Sequence, residues 1–139
     1  MKLTLFTVEE ANQVLGTIRP LLERLVAGKR EMESLDRRIE ALTLALSGAS
    51  SDNPDAKQLR EVIARRTRIA TRLRDGVHSI HARGAVVKDL DRGLIDFYSV
   101  VGDRLIFLCW KLGEDEIGHW HSLEAGFGGR QPLSSAGQE

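Results

Sequence analysis

The chain has 139 residues and a mass of 15.5 kDa, and its 20 Lys+Arg balance 20 Asp+Glu to a formal net charge of zero. Apolar residues make up 42% and charged residues 29%, which is enough for a packed core. That composition excludes a disordered chain, a collagen-like repeat and a strongly basic nucleic-acid binder. Cys109 is the sole cysteine, so no intramolecular disulfide forms and a reducing compartment is expected. No apolar run approaches the roughly 18 residues of a membrane span, and Met1–Glu10 lacks the apolar core of a signal segment. A single cytoplasmic domain spanning residues 1–139, with no membrane partner, is the expectation.

Thr7-Val8-Glu9-Glu10 reads as a capping box, with Phe6 just outside the cap and Ala11 one turn in. Apolar residues then recur at helical spacing: Ala11, Leu15, Ile18, Leu22, Leu25, and after a phase slip near Gly28, Met32, Leu35, Ile39, Leu42 and Leu46. The pattern predicts a helix to about Ser47, kinked near Pro20. Ser47–Asp52 reads as a turn-forming linker. Asn53-Pro54 starts a second helix, whose stripe runs through Leu59, Val62, Ile63, Ile69, Leu73, Val77 and Ile80 to a stop at Gly84. Two long stripes joined by a short linker predict an antiparallel, coiled-coil-like hairpin over residues 1–84. Because two helices alone bury one seam, a homodimer through the hairpin is expected.

Arg60, Arg65, Arg66, Arg68, Arg72 and Arg74 crowd the second helix. A basic face of this kind suits nucleic acid. Zero net charge and the absence of aromatics argue instead for a solvated face paired with Glu31, Glu33, Asp36 and Glu40.

At Gly84 helical period gives way to short β-prone runs separated by turns. Ala85–Lys88, Leu94–Tyr98 and Arg104–Lys111 read as strands, with turns at Asp91-Arg92-Gly93 and Gly102-Asp103. The third run, apolar on both faces, calls for cover by the hairpin on one side and the tail on the other. The fold class predicted is therefore α+β: a helical hairpin, a small antiparallel β-lobe over residues 85–133, and a flexible tail over 134–139.

The runs Val87-Lys88-Asp89-Leu90, Gly93-Leu94-Ile95-Asp96-Phe97 and Leu108-Cys109-Trp110-Lys111-Leu112-Gly113-Glu114 resemble the sequence blocks of DUF2203, a family of small bacterial and archaeal proteins of unknown function. Trp120-His121, Gly126-Phe127, Gly129-Arg130-Gln131-Pro132-Leu133 and the opening Glu10-Ala11-Asn12 with Arg19-Pro20 resemble it too. The resemblance spans nearly the whole chain and implies an architecture without implying a reaction.

Chemically capable side chains concentrate late in the chain. His119 and His121, two apart, share a face on a strand, and with Cys109 they form a candidate zinc-like set to which Glu114 can add a carboxylate. The spacing matches no standard zinc signature, and hydrogen-bonded structural histidines explain the same pair. His78 and His81 share a helix face, where they suit the negative end of the dipole. Cys109, between Leu108 and Trp110, reads as a core thiol rather than a nucleophile. Asp96 interrupts an apolar strand and demands a partner, for which Lys88, Lys111 and Arg130 are candidates. It serves either as an acid–base group, with Glu114, or as half of a structural ion pair. Gly126–Arg130 suits a backbone nest for an anion. Trp110 and Trp120 are core residues able also to stack on a ligand. Two functions follow as expectations. The first is a binding or scaffold protein that takes a partner or anionic ligand through the lobe, using Lys88, Trp110, Lys111, Trp120 and Arg130. The second is a metal-dependent, hydrolase-like enzyme built on His119 and His121.

Overall fold

The structure, a computed structural model, describes residues 3–48 and 53–135. Most of the expected linker (49–52) and the end of the expected tail (136–139) lie outside the described residues.

Helix α1 spans Val8–Ala45 and α2 spans Pro54–Ala82. The capping box closes as the sequence requires: Glu10 N–H donates to Thr7 Oγ1 at 3.1 Å, and Thr7 N–H to Glu10 Oε1 at 2.9 Å. Asp55 N–H donates to Asn53 Oδ1 at 2.8 Å, with Pro54 in the first turn. Helix α1 continues on both sides of Pro20 and ends two residues before the expected Ser47. The helices pack on each other through Leu22, Leu25, Val26, Leu35, Val62, Ile69 and Leu73, all buried. Arg65 pairs with Glu31 and Arg66 with Asp36 across the hairpin, the solvated-face arrangement expected for part of the arginine cluster. These pairs are exposed and contribute little to stability.

Five strands follow: β1 Ala85–Asp89, β2 Leu94–Val101, β3 Arg104–Lys111, β4 His119–Ser122 and β5 Gln131–Pro132. They form one antiparallel meander in the order β1-β2-β3-β4-β5. The last two strands escape a periodicity reading because they are only four and two residues long. Register divides the side chains cleanly between two faces. Ala85, Ile95, Phe97, Ile106, Leu108, Trp110 and Trp120 share the inner face and join Phe6, Ala11, Leu15, Ile18 and Leu22 in one core. Polar contacts dock α1 to the lobe: Ile117 N–H donates to Asn12 Oδ1 at 2.9 Å, Arg19 sits over the Trp110 ring at 5.1 Å and donates to the Asp115 carbonyl, and Lys29 Nζ pairs with Asp91 at 2.9 Å. Ahead of α1, Phe6 N–H donates to the Tyr98 carbonyl at 2.8 Å and the Phe6 carbonyl accepts from Ser99 Oγ at 2.6 Å. The Phe6 ring meets Phe97 edge-on, with centroids 5.1 Å apart. The result is the α+β architecture expected, a hairpin followed by an antiparallel sheet. No described helix is long and apolar enough to cross a membrane.

Candidate functional site

The outer face of the sheet, turned away from the core, carries the polar residues. Register aligns Asp96 with Cys109 and Cys109 with His119, and in the neighbouring row Tyr98 with Phe107 and Phe107 with His121. Asp96, Cys109 and His121 are each 2% exposed. A cavity of about 190 Å³ opens above them, lined by Lys88, Arg92, Leu94, Asp96, His121 and Phe127 among others. The chain after β4 supplies Leu123, Gly126 and Phe127 to its wall, so the tail segment covers part of this face.

Asp96 finds its partner two strands away. His121 Nε2 lies 3.0 Å from Asp96 Oδ2, and His121 Nδ1 lies 2.7 Å from the Ser122 carbonyl oxygen. A carbonyl only accepts, so Nδ1 carries a proton. The Nε2···Oδ2 bond then requires a second proton, on the ring or on the carboxyl, and in either form the pair is electrically neutral. Burial pushes the Asp96 carboxyl above its ordinary value, against the opposing pull of His121 and Lys88. The cations considered for Asp96 act at longer range or elsewhere: Lys88 Nζ sits 4.4 Å over Phe107, and Lys111 Nζ 5.9 Å over Phe127. The Asp96–His121 pair escapes a reading of the sequence because the two lie 25 positions apart with a whole strand between them.

Glu114 is the organiser of the site's far edge. Its carboxylate takes both terminal nitrogens of Arg130, at 2.9 and 3.0 Å, and the Lys111 N–H at 2.8 Å. Its carbonyl accepts from Trp110 Nε1 at 3.0 Å. Burial alone raises the Glu114 carboxyl, and the hydrogen bonds from Arg130 and Lys111 outweigh it, leaving the net value lowered. His119 stands here as well: Nδ1 is 3.8 Å from Glu114 Oε2, beyond hydrogen-bonding distance, and is buried with no hydrogen-bond partner among the described residues. The two histidines on one strand thus serve different neighbours, His121 facing Asp96 and His119 facing Glu114. Trp110 and Trp120 are each 1% exposed and belong to the inner-face core. His81 takes no part, since its Nε2 accepts the Val87 N–H at 3.1 Å.

Cations gather around one ring. The guanidinium groups of Arg130 and Arg92 lie 4.6 and 5.4 Å from the centroid of Phe127, with Lys111 as the third cation. Arg92 is neutralised by Asp89 at 2.9 Å and Arg130 by Glu114. Lys88 and Lys111 form no ion pair within 4 Å among the described residues. With Asp96–His121 neutral as a pair, Lys88 is left as an unpaired cation in the cavity wall, and Lys111 stands unpaired beside the Phe127 ring that forms part of that wall.

Of the side chains able to hold a metal, Asp96, Cys109 and His121 come together: one ligand atom from each lies within 4.8 Å of the others. Burial pushes the Cys109 thiol above its ordinary 9.0, against the pull of Arg130, which makes the free thiol a poor nucleophile.

The molecule is an α+β protein in which a long helical hairpin backs a five-stranded meander, and the meander's outer face carries a small polar cavity. The chain belongs to the DUF2203 family, described as an uncharacterized conserved protein, which it matches over residues 4–133. No curated protein and no solved structure matches it significantly.

Proposed function

We propose that the protein is a binding module that takes a small anion in the cavity on the outer face of its β-lobe. The observation that carries this reading is the unpaired cation of Lys88 in the cavity wall beside Arg92, with Lys111 and Arg130 next to the Phe127 ring that completes the wall. Low-dielectric walls concentrate such a field at the cavity mouth. The volume of about 190 Å³ falls below the roughly 300–1,000 Å³ typical of sites for drug-sized molecules, and so favours a phosphate- or carboxylate-sized group. In this reading Glu114 is a positioning residue, since its oxygens are already committed to Arg130 and Lys111.

Thermal unfolding of the chelator-treated protein with added phosphate, sulfate or malonate tests the reading. A ligand at 100 times its Kd stabilises by about 2.7 kcal/mol, a rise of several degrees for a chain of this size. The rise is expected to saturate, to exceed that from chloride at equal ionic strength, and to shrink in Lys88→Ala. A response matched by chloride, or unchanged in Lys88→Ala, contradicts it.

Self-association of the hairpin is a separate proposal. It is supported by a groove of about 470 Å³ in which Leu21, Leu25, Ile69 and Leu73 stand together with Arg24, Glu31 and Arg72, and by Leu44 and Ile63, which stay exposed. Light scattering at micromolar concentration should give twice 15.5 kDa, and a monomeric mass rejects the dimer.

A further inference from the structure

We infer that Asp96, Cys109 and His121 form a transition-metal site, with the fourth coordination position open to the cavity. The donors are one carboxylate oxygen, one thiolate sulfur and one imidazole nitrogen, the mixed set that suits zinc, cobalt(II) and similar borderline ions. Their ligand atoms lie within 4.8 Å of one another, and all three residues are buried. A tetrahedral ion with bonds of about 2.0–2.3 Å holds its donors roughly 3.3–3.8 Å apart, so closure needs side-chain shifts of about an ångström.

The strongest support lies behind the ligands. His121 Nδ1 donates to the Ser122 carbonyl at 2.7 Å, which fixes the ring and leaves Nε2 as the nitrogen facing Asp96 and Cys109. A histidine whose far N–H is anchored on a carbonyl is the usual arrangement for a metal ligand. In that arrangement the ion takes the place of the proton now shared between Nε2 and Asp96 Oδ2, and the Cys109 thiol gives up its own. One thiolate and one carboxylate then balance a divalent ion. Three protein ligands with an open position facing a cavity is the pattern of sites that bind or polarise a ligand, as distinct from closed structural sites.

This ligand set differs from the one expected from sequence, in which His119 stands where Asp96 does here. His119 Nδ1 faces Glu114 instead, 3.8 Å from its carboxylate. The metal site rests on the ligand geometry and is independent of the anion reading, which is tested with metal stripped away.

The test is cobalt(II) chloride titrated into the chelator-stripped, full-length chain without phosphate. The expected result is a near-ultraviolet thiolate-to-cobalt absorption with the visible bands of a four-coordinate ion, saturating at one ion per chain and displaced by zinc. Cys109→Ser should abolish the thiolate band and weaken zinc binding by at least about 100-fold, more than loss of a supporting contact does. His119→Ala should retain both. A pale six-coordinate spectrum with no thiolate band in the native chain overturns the site, and that outcome does not depend on any variant folding. Zinc binding unchanged in Cys109→Ser, or lost in His119→Ala, overturns the assignment equally.

Discussion

The Arg130 guanidinium meets the Glu114 carboxylate fork to fork, Nη1 to Oε2 at 3.0 Å and Nη2 to Oε1 at 2.9 Å. This bond ties the chain just before β5 to the turn after β3. Paired charge-assisted hydrogen bonds are about twice as strong as neutral ones and fix geometry as well.

A pH dependence follows with a definite sign. The Glu114 carboxyl is held below its ordinary 4.5, so its contribution is fully present above that value and is lost as pH falls through the lowered folded value. Glu114→Gln should cost about 1–2 kcal/mol at pH 7, and the gap from the native chain should narrow below pH 4.5. Urea unfolding of both proteins from pH 7 to pH 3 measures this. A gap that stays constant with pH contradicts it.

The segment before α1 is held by the edge it lies along. Ser99 is 7% exposed and its hydroxyl donates to the Phe6 carbonyl at 2.6 Å. Ser99→Ala strands that buried carbonyl, and a loss of about 1–3 kcal/mol in urea unfolding is expected. Phe6→Leu in the same assay should cost more than a surface change, because it removes the edge-on contact with Phe97.

Two glycines should respond in opposite directions. Gly84, at the junction of hairpin and lobe, has φ 93°, and a Cβ there would lie 2.8 Å from Phe6 Cζ and 3.0 Å from Thr4 Cβ. Gly84→Ala should therefore destabilise by about 2–4 kcal/mol, from left-handed strain and overpacking together. Gly16 lies within α1 with open space around the position of its missing Cβ. Gly16→Ala should stabilise by about 0.5–1 kcal/mol through helix propensity. Thermal melts of the two variants rank them, and a destabilised Gly16→Ala would contradict this account of α1.

Local chemistry was the legible part of the sequence. Thr7 with Glu10, Asn53 with Pro54, and Gly84 mark helix ends through contacts within a few residues, so the hairpin could be read directly. The strands from Ala85 to Lys111 were legible for the same reason, each bounded by its own turn. Asp96 was recognisable as a buried carboxylate needing a partner, but His121 as that partner depends on the pairing of β2 with β3 and of β3 with β4. The same holds for Glu114 and Arg130, which meet only because the chain after β4 folds back over the outer face. His119 and His121 share a strand face as the spacing implies, yet only His121 finds a hydrogen-bond partner in Asp96 while His119 faces Glu114 at 3.8 Å, which spacing alone does not encode.

The central claim is that the outer face of the β-lobe, and not the arginine-rich face of α2, receives the ligand. Backbone amide NMR of the metal-free chain titrated with inorganic phosphate tests it most directly. Saturable shifts clustered at Lys88, Arg92, Lys111 and Phe127, with the hairpin unmoved, are the expected result. Shifts concentrated on Arg60–Arg74, or none at tens of millimolar phosphate, would contradict it.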